Sequence, residues 1–77
     1  MKLRDLSGKK LVSIFEGFGF IVISQRGSHI KMSRTRVFIQ TLVIPNHPSI
    51  AKGTLKDIYT QALQYISENE LKKFFYS

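Results

Sequence analysis

The run Phe20-Ile21-Val22-Ile23-Ser24, followed by Gln25-Arg26-Gly27 and then Ser28-His29-Ile30-Lys31-Met32, decides how the chain folds. The first five residues are continuous and rich in β-branched side chains, which reads as a strand. Gln25-Arg26-Gly27 reads as a tight turn, with Gly27 free to take positive φ. The next five residues alternate. Ser28, Ile30 and Met32 share one face of a strand, and His29 and Lys31 share the other. Ser33-Arg34-Thr35-Arg36 reads as the next polar turn and Val37 to Ile44 as a third strand. Pro45 closes that strand, since proline cannot continue a ladder. Two short connections between three strands predict an antiparallel meander.

Upstream, residues 1–6 form a short lead-in, and Ser7 offers an N-cap. Leu11, Ile14, Phe15 and Phe18 follow at helical spacing, and Gly17 and Gly19 end the pattern. Downstream, residues 45–53 read as a loop. Thr54 with Asp57 reads as a capping box that opens a second helix. Leu55, Ile58, Tyr59, Ala62, Leu63 and Ile66 give that helix its apolar face. Ser67-Glu68-Asn69-Glu70 reads as a further capping box before a short last helix carrying Leu71, Phe74 and Phe75. The predicted order is helix, three strands, helix, short helix. This is an α+β fold, with the helices packed on one face of the sheet and the other face open. The chain shows no repeat and no linker, so residues 1–77 are expected to form one domain.

Twelve Lys and Arg against five Asp and Glu give a net charge of +7. That density fits a phosphate-rich partner, nucleic acid above all. No apolar run approaches the roughly 20 residues of a spanning helix, and the N-terminus lacks a signal-peptide core, so no membrane partner is expected. The absence of cysteine excludes a disulfide scaffold and thiolate metal ligands, and it is compatible with a cytoplasmic protein. Two histidines and the scattered Asp5, Glu16, Asp57, Glu68 and Glu70 argue against a metal centre or a paired-carboxylate hydrolase, so no cofactor is expected. Ser28 and His29 point to opposite faces of their strand, which argues against a serine–histidine pair.

His29 is the first candidate for chemistry. If Ile30 and Met32 face the core, His29 and Lys31 face solvent on the open side of the sheet. Imidazole takes and gives protons near neutral pH, and a neighbouring lysine suits a phosphate oxygen. By itself a strand histidine reads first as an ordinary exposed side chain. His47, in Pro45-Asn46-His47-Pro48, is a loop histidine suited to RNA contact or to helping the chemistry as a proton donor, and equally to a local hydrogen bond. Arg26 at the turn, Arg34 and Arg36 at the second hairpin tip, and Lys52 and Lys56 around the start of the second helix are candidate phosphate ligands. Each of them equally suits a solvated basic surface. The aromatics at helical spacing read as core.

Ser7-Gly8-Lys9-Lys10-Leu11, Gly19-Phe20, Gly27-Ser28-His29, Ile44-Pro45-Asn46-His47 and Gly53-Thr54-Leu55 with Ile58 together resemble the HicA toxins over about residues 6–66. No one of these elements is specific, but the set and its order are. The resemblance implies a fold like a double-stranded-RNA-binding domain. It also implies an endoribonuclease that cuts messenger RNA without the ribosome, as the toxin of a type II toxin–antitoxin system, and the want of a metal-ligand set in the sequence makes the expected mechanism metal-independent. It makes His29 the catalytic residue, with Gly27 and Ser28 as its supporting motif. It implies a HicB-type antitoxin partner that covers the active face in a hetero-oligomer. The rival expectation is a double-stranded-RNA-binding module without chemistry. One departure from the family pattern is the short connection Ser33-Arg34-Thr35-Arg36, where many members carry a longer hairpin. The tail beyond residue 66 is also longer than in minimal members.

Overall fold

Ser7 begins the first helix as expected. Its hydroxyl accepts from the Lys10 N–H at 3.0 Å, which satisfies one of the free amides of the first turn. Helix α1 (Gly8–Gly17) buries Leu11, Ile14 and Phe15. It ends at Phe18, and Gly19 follows with φ 93°, the left-handed conformation that glycine adopts without cost. The computed structural model describes all 77 residues. After α1 come β1 (Ile21–Arg26), β2 (His29–Arg36), β3 (Phe38–Pro45), α2 (Lys52–Ala62) and α3 (Glu68–Phe75).

The three strands form one antiparallel sheet in the order β1-β2-β3. Ile30 and Met32 of β2 and Leu42 and Ile44 of β3 point to the helices and are buried. Phe15, Phe20, Leu55, Leu71 and Phe75 close over them in one cluster of 17 apolar residues. Burying each of these large side chains favours folding by about 1.5–3 kcal/mol. The last helix completes the lid. Phe75 lies 6.2 Å from Phe15 and 5.1 Å from Tyr59, ring centre to ring centre. The lead-in is tied to this tail, because Leu3 bridges Tyr76 and the Lys2 and Ser77 backbones exchange hydrogen bonds of 3.1 and 2.9 Å.

Three boundaries differ from the sequence reading. The first turn is Gly27-Ser28 rather than Gln25-Arg26-Gly27, because Arg26 pairs with His29 across the hairpin. Gly27 has φ 58° and Ser28 does not have positive φ, the pattern of a two-residue II′ turn. Second, Ser33-Arg34-Thr35-Arg36 is strand, not turn. Its register continues to Arg36↔Phe38, leaving Val37 alone at the tip with φ 67°. Third, α2 starts at Lys52, with Ala51 at the cap and no side-chain capping bond, so Thr54 and Asp57 lie inside the helix, and it ends at Ala62, so Leu63 is its C-cap and Ile66 packs into the core from beyond it. Ser67 does hold the N-cap position of α3, though without a side-chain bond.

Candidate functional site

Alternation along β2 separates two kinds of side chain. Ile30, Met32 and Arg34 go inward, while His29 and Lys31 are exposed on the open face. The outer rows follow from the register. Arg26, His29 and Pro45 lie across one row, and Ser24, Lys31 and Val43 across the next. Together Ser24, Gln25, Arg26, His29, Lys31 and Val43 line an open depression of about 510 Å³. Two cations and an imidazole therefore share one shallow surface with no acidic side chain in its lining, an arrangement that suits a polyanion.

The turn that presents His29 is anchored from below. The Asn46 N–H donates to the Ser28 carbonyl at 2.6 Å, and the Gly8 N–H donates to the His47 carbonyl at 2.9 Å. Gly8 allows this contact. A Cβ there would run into the Pro45 carbonyl oxygen and stand 2.9 Å from the Asn46 Cα. Three of the sequence motifs, Ser7-Gly8-Lys9, Gly27-Ser28-His29 and Pro45-Asn46-His47, thus converge at one end of the sheet. The sequence reading had given Gly8 and Lys9 no role of their own. The signal available for them was the glycine at the first position of a helix, where a close backbone approach is one of the few uses for that residue.

His47 does not share the His29 depression. It lines a separate cavity of about 210 Å³ with Ser7, Lys9, Asn46 and Pro48. The structure therefore does not bring the two histidines to one cavity.

Two of the expected phosphate ligands are engaged elsewhere. Arg34, read as a hairpin-tip residue, is buried. Its guanidinium bonds the Gln40 side-chain oxygen, the Phe18 carbonyl at 2.6 Å and the Tyr65 carbonyl at 2.7 Å, and it lies 4.7 Å from the centre of the Phe20 ring. Burial, then the charge of Arg36, push its pKa down, and Glu70 opposes them. Arg34 thus clamps the chain just past α1 and past α2 onto the sheet. Lys52 bonds the Leu3 and Arg4 carbonyls at 3.0 and 2.9 Å and pairs with Asp5 at 2.8 Å, holding the lead-in. The Lys52 contact also pulls the Asp5 carboxyl below its ordinary pKa. Arg36 and Lys56 are exposed, and neither lines the His29 depression.

No three His, Asp or Glu side chains cluster anywhere in the chain. No helix is long and apolar enough to cross a membrane. No curated protein and no solved structure gives a match to the chain. The sequence profile of a family described as HicA toxin of bacterial toxin–antitoxin matches residues 8–63 of the 77. That span runs from the glycine seated on Asn46 through the His29 hairpin to the end of α2, and the chain belongs to the HicA toxin family.

Proposed function

We propose that the chain is a ribonuclease toxin that cuts messenger RNA without the ribosome, with His29 as the general base, and that residues 1–77 act as one domain. The observation that carries this reading is the placement of His29. It is an exposed imidazole between Arg26 and Lys31, on a strand whose opposite face is locked into the core. Rigid placement of a proton acceptor beside phosphate-binding cations is what in-line attack on a phosphodiester requires.

His29 takes the proton of a ribose 2′-OH. The 2′-oxygen bonds to the adjacent phosphorus, the bond to the leaving 5′-oxygen breaks, and that oxygen takes a proton from water. Arg26 and Lys31 hold the phosphate oxygens, and the backbone of the Gly27-Ser28 turn steadies them. The use of the 2′-OH makes RNA the substrate and leaves DNA uncut. His47 with Lys9 contacts the strand beyond the cut, and Arg36 and Lys56 add long-range attraction. The scheme uses no metal ion, so cleavage persists in chelator. The toxin works in the cytoplasm, and a HicB-type antitoxin holds it inactive in a hetero-oligomer by covering the open face.

Induced expression tests this reading. The wild-type chain arrests growth and cuts purified RNA. His29→Ala, at equal soluble level, does neither. Full growth arrest by His29→Ala would end the proposal. Uncut RNA that both proteins bind equally well would make the chain a binding module instead.

A further inference from the structure

The open face has a second half with different chemistry. Beyond the row of Lys31, its outer positions are Ile21, Ile23, Ser33, Thr35, Ile39 and Thr41. None is charged, in a chain with twelve basic residues. Ile21 is 63 % exposed, Ile23 50 % and Ile39 70 %. Ile21, Ile23, Ser33 and Thr35 line a depression of about 400 Å³ on this half together with Gly19, Arg34 and Arg36, the two arginines leaving β2 on its helix side. At its tip stands Val37, fully exposed, with φ 67°. A β-branched residue is strained in that conformation, which glycine or asparagine would adopt at less cost. The fold does not call for valine there, and no packing rewards it. A strip of isoleucine, threonine and serine on a sheet is a surface for packing another protein, whereas RNA phosphates seek the cations at the opposite end.

We infer that this apolar strip of outward side chains, Ile21, Ile23 and Ile39 with the Val37 tip, is the anchor for the antitoxin. The partner seats apolar side chains here and extends an acidic segment over Arg26, His29 and Lys31. The inference rests on the proposed toxin function for the identity of the partner. Its basis is charge partition along the outer face: the outward side chains of this half are uncharged, with Arg34 and Arg36 turned to the helix side, and the basic half is matched by a chain that carries complementary charge. Holding and inhibiting are thus separate acts at separate ends of one face.

The test uses the full chain, with the product of the reading frame adjoining its gene as the probe. The variant is Ile21→Thr/Ile39→Thr, which removes apolar surface and keeps β-branched residues in both strands. The expected result is antitoxin binding weakened about tenfold or more, with RNA cleavage and thermal unfolding unchanged. Growth arrest then resists neutralisation. Lys31→Gln serves as the counterpart from the basic half and is expected to impair cleavage more than antitoxin binding. Unchanged antitoxin binding by the double variant overturns the inference. So does lost RNA affinity with antitoxin binding intact, which would make the strip an RNA surface. So does loss of a dimer of the chain alone with antitoxin binding intact, which would make it a self-association surface. If wild-type protein cuts no RNA but the double variant still loses the antitoxin, the anchor stands and the nuclease reading falls.

Discussion

The two ends of the sheet close in opposite ways. At one end Gly27-Ser28 turns the chain with a glycine at φ 58°, where the geometry asks for one. The turn is bonded to Asn46, and Asn46 in turn lies against Gly8. At the other end Val37 alone reverses the chain at φ 67°, with its side chain in solvent. A β-branched residue is strained at positive φ. The first end is relaxed, polar and buttressed, and it presents Arg26, His29 and Lys31. The second is strained and apolar, and it presents isoleucines. Low strain and firm support suit a group that must hold its geometry during a reaction, whereas apolar display suits a surface that another protein will cover.

The contrast can be broken at three places. The largest effect falls on Arg34, which fixes the inner side of the Val37 end. Arg34→Leu leaves the Gln40 side chain and the Phe18 and Tyr65 carbonyls without their donor. It is expected to cost about 3 kcal/mol or more. In a domain of this size the melting temperature then falls by about 12 °C or more, as calorimetry would measure. A fall of only a degree or two would show that the clamp is dispensable.

A middle-sized effect is expected at the buttressed end. Gly8→Ala drives a methyl group into the Pro45 carbonyl and the Asn46 backbone. It is expected to cost about 2 kcal/mol through strain, read from the denaturant midpoint. RNA cleavage also falls, although the alanine meets no RNA, because the Asn46–Ser28 bond beneath the turn shifts. Normal stability with normal cleavage would mean that the contact does not position His29.

The smallest effect has the opposite sign. Val37→Gly relieves the positive φ and is expected to stabilise the chain by about 1 kcal/mol once the entropy cost of glycine is subtracted. The melting temperature rises by about 4 °C. Antitoxin binding weakens at the same time, so the variant is a more stable toxin that is held less well. Destabilisation would show that the valine serves the fold after all.

Much of this was legible in the sequence, for reasons specific to particular residues. Period-two alternation placed Ile30 and Met32 inward and His29 and Lys31 outward, and local pattern suffices for that assignment. Ser7 and Gly19 marked the ends of α1 through their own backbone chemistry. The reading failed where partners lie far apart in sequence. Four polar residues, Ser33 to Arg36, look like a turn, but Arg34 can enter the core because Gln40, Phe18 and Tyr65 supply acceptors from distant positions. Lys52 looked like a phosphate ligand until the lead-in brought Asp5 and two carbonyls to it. Thr54 looked like a cap, yet α2 begins two residues earlier with no side-chain cap at all. The convergence of Gly8, Ser28 and Asn46 was present in the sequence only as separate motifs, because their meeting depends on the sheet register.

The measurement that bears most directly on the account is single-turnover cleavage of one RNA by the purified chain and by His29→Ala, in chelator, with the product ends identified. The account predicts 2′,3′-cyclic phosphate ends from the wild-type protein. It also predicts a rate lower by about 10²–10⁴-fold for the variant, with the melting temperature of the two unchanged. Cleavage by the variant at the wild-type rate, or ends bearing a 3′-hydroxyl, would contradict it.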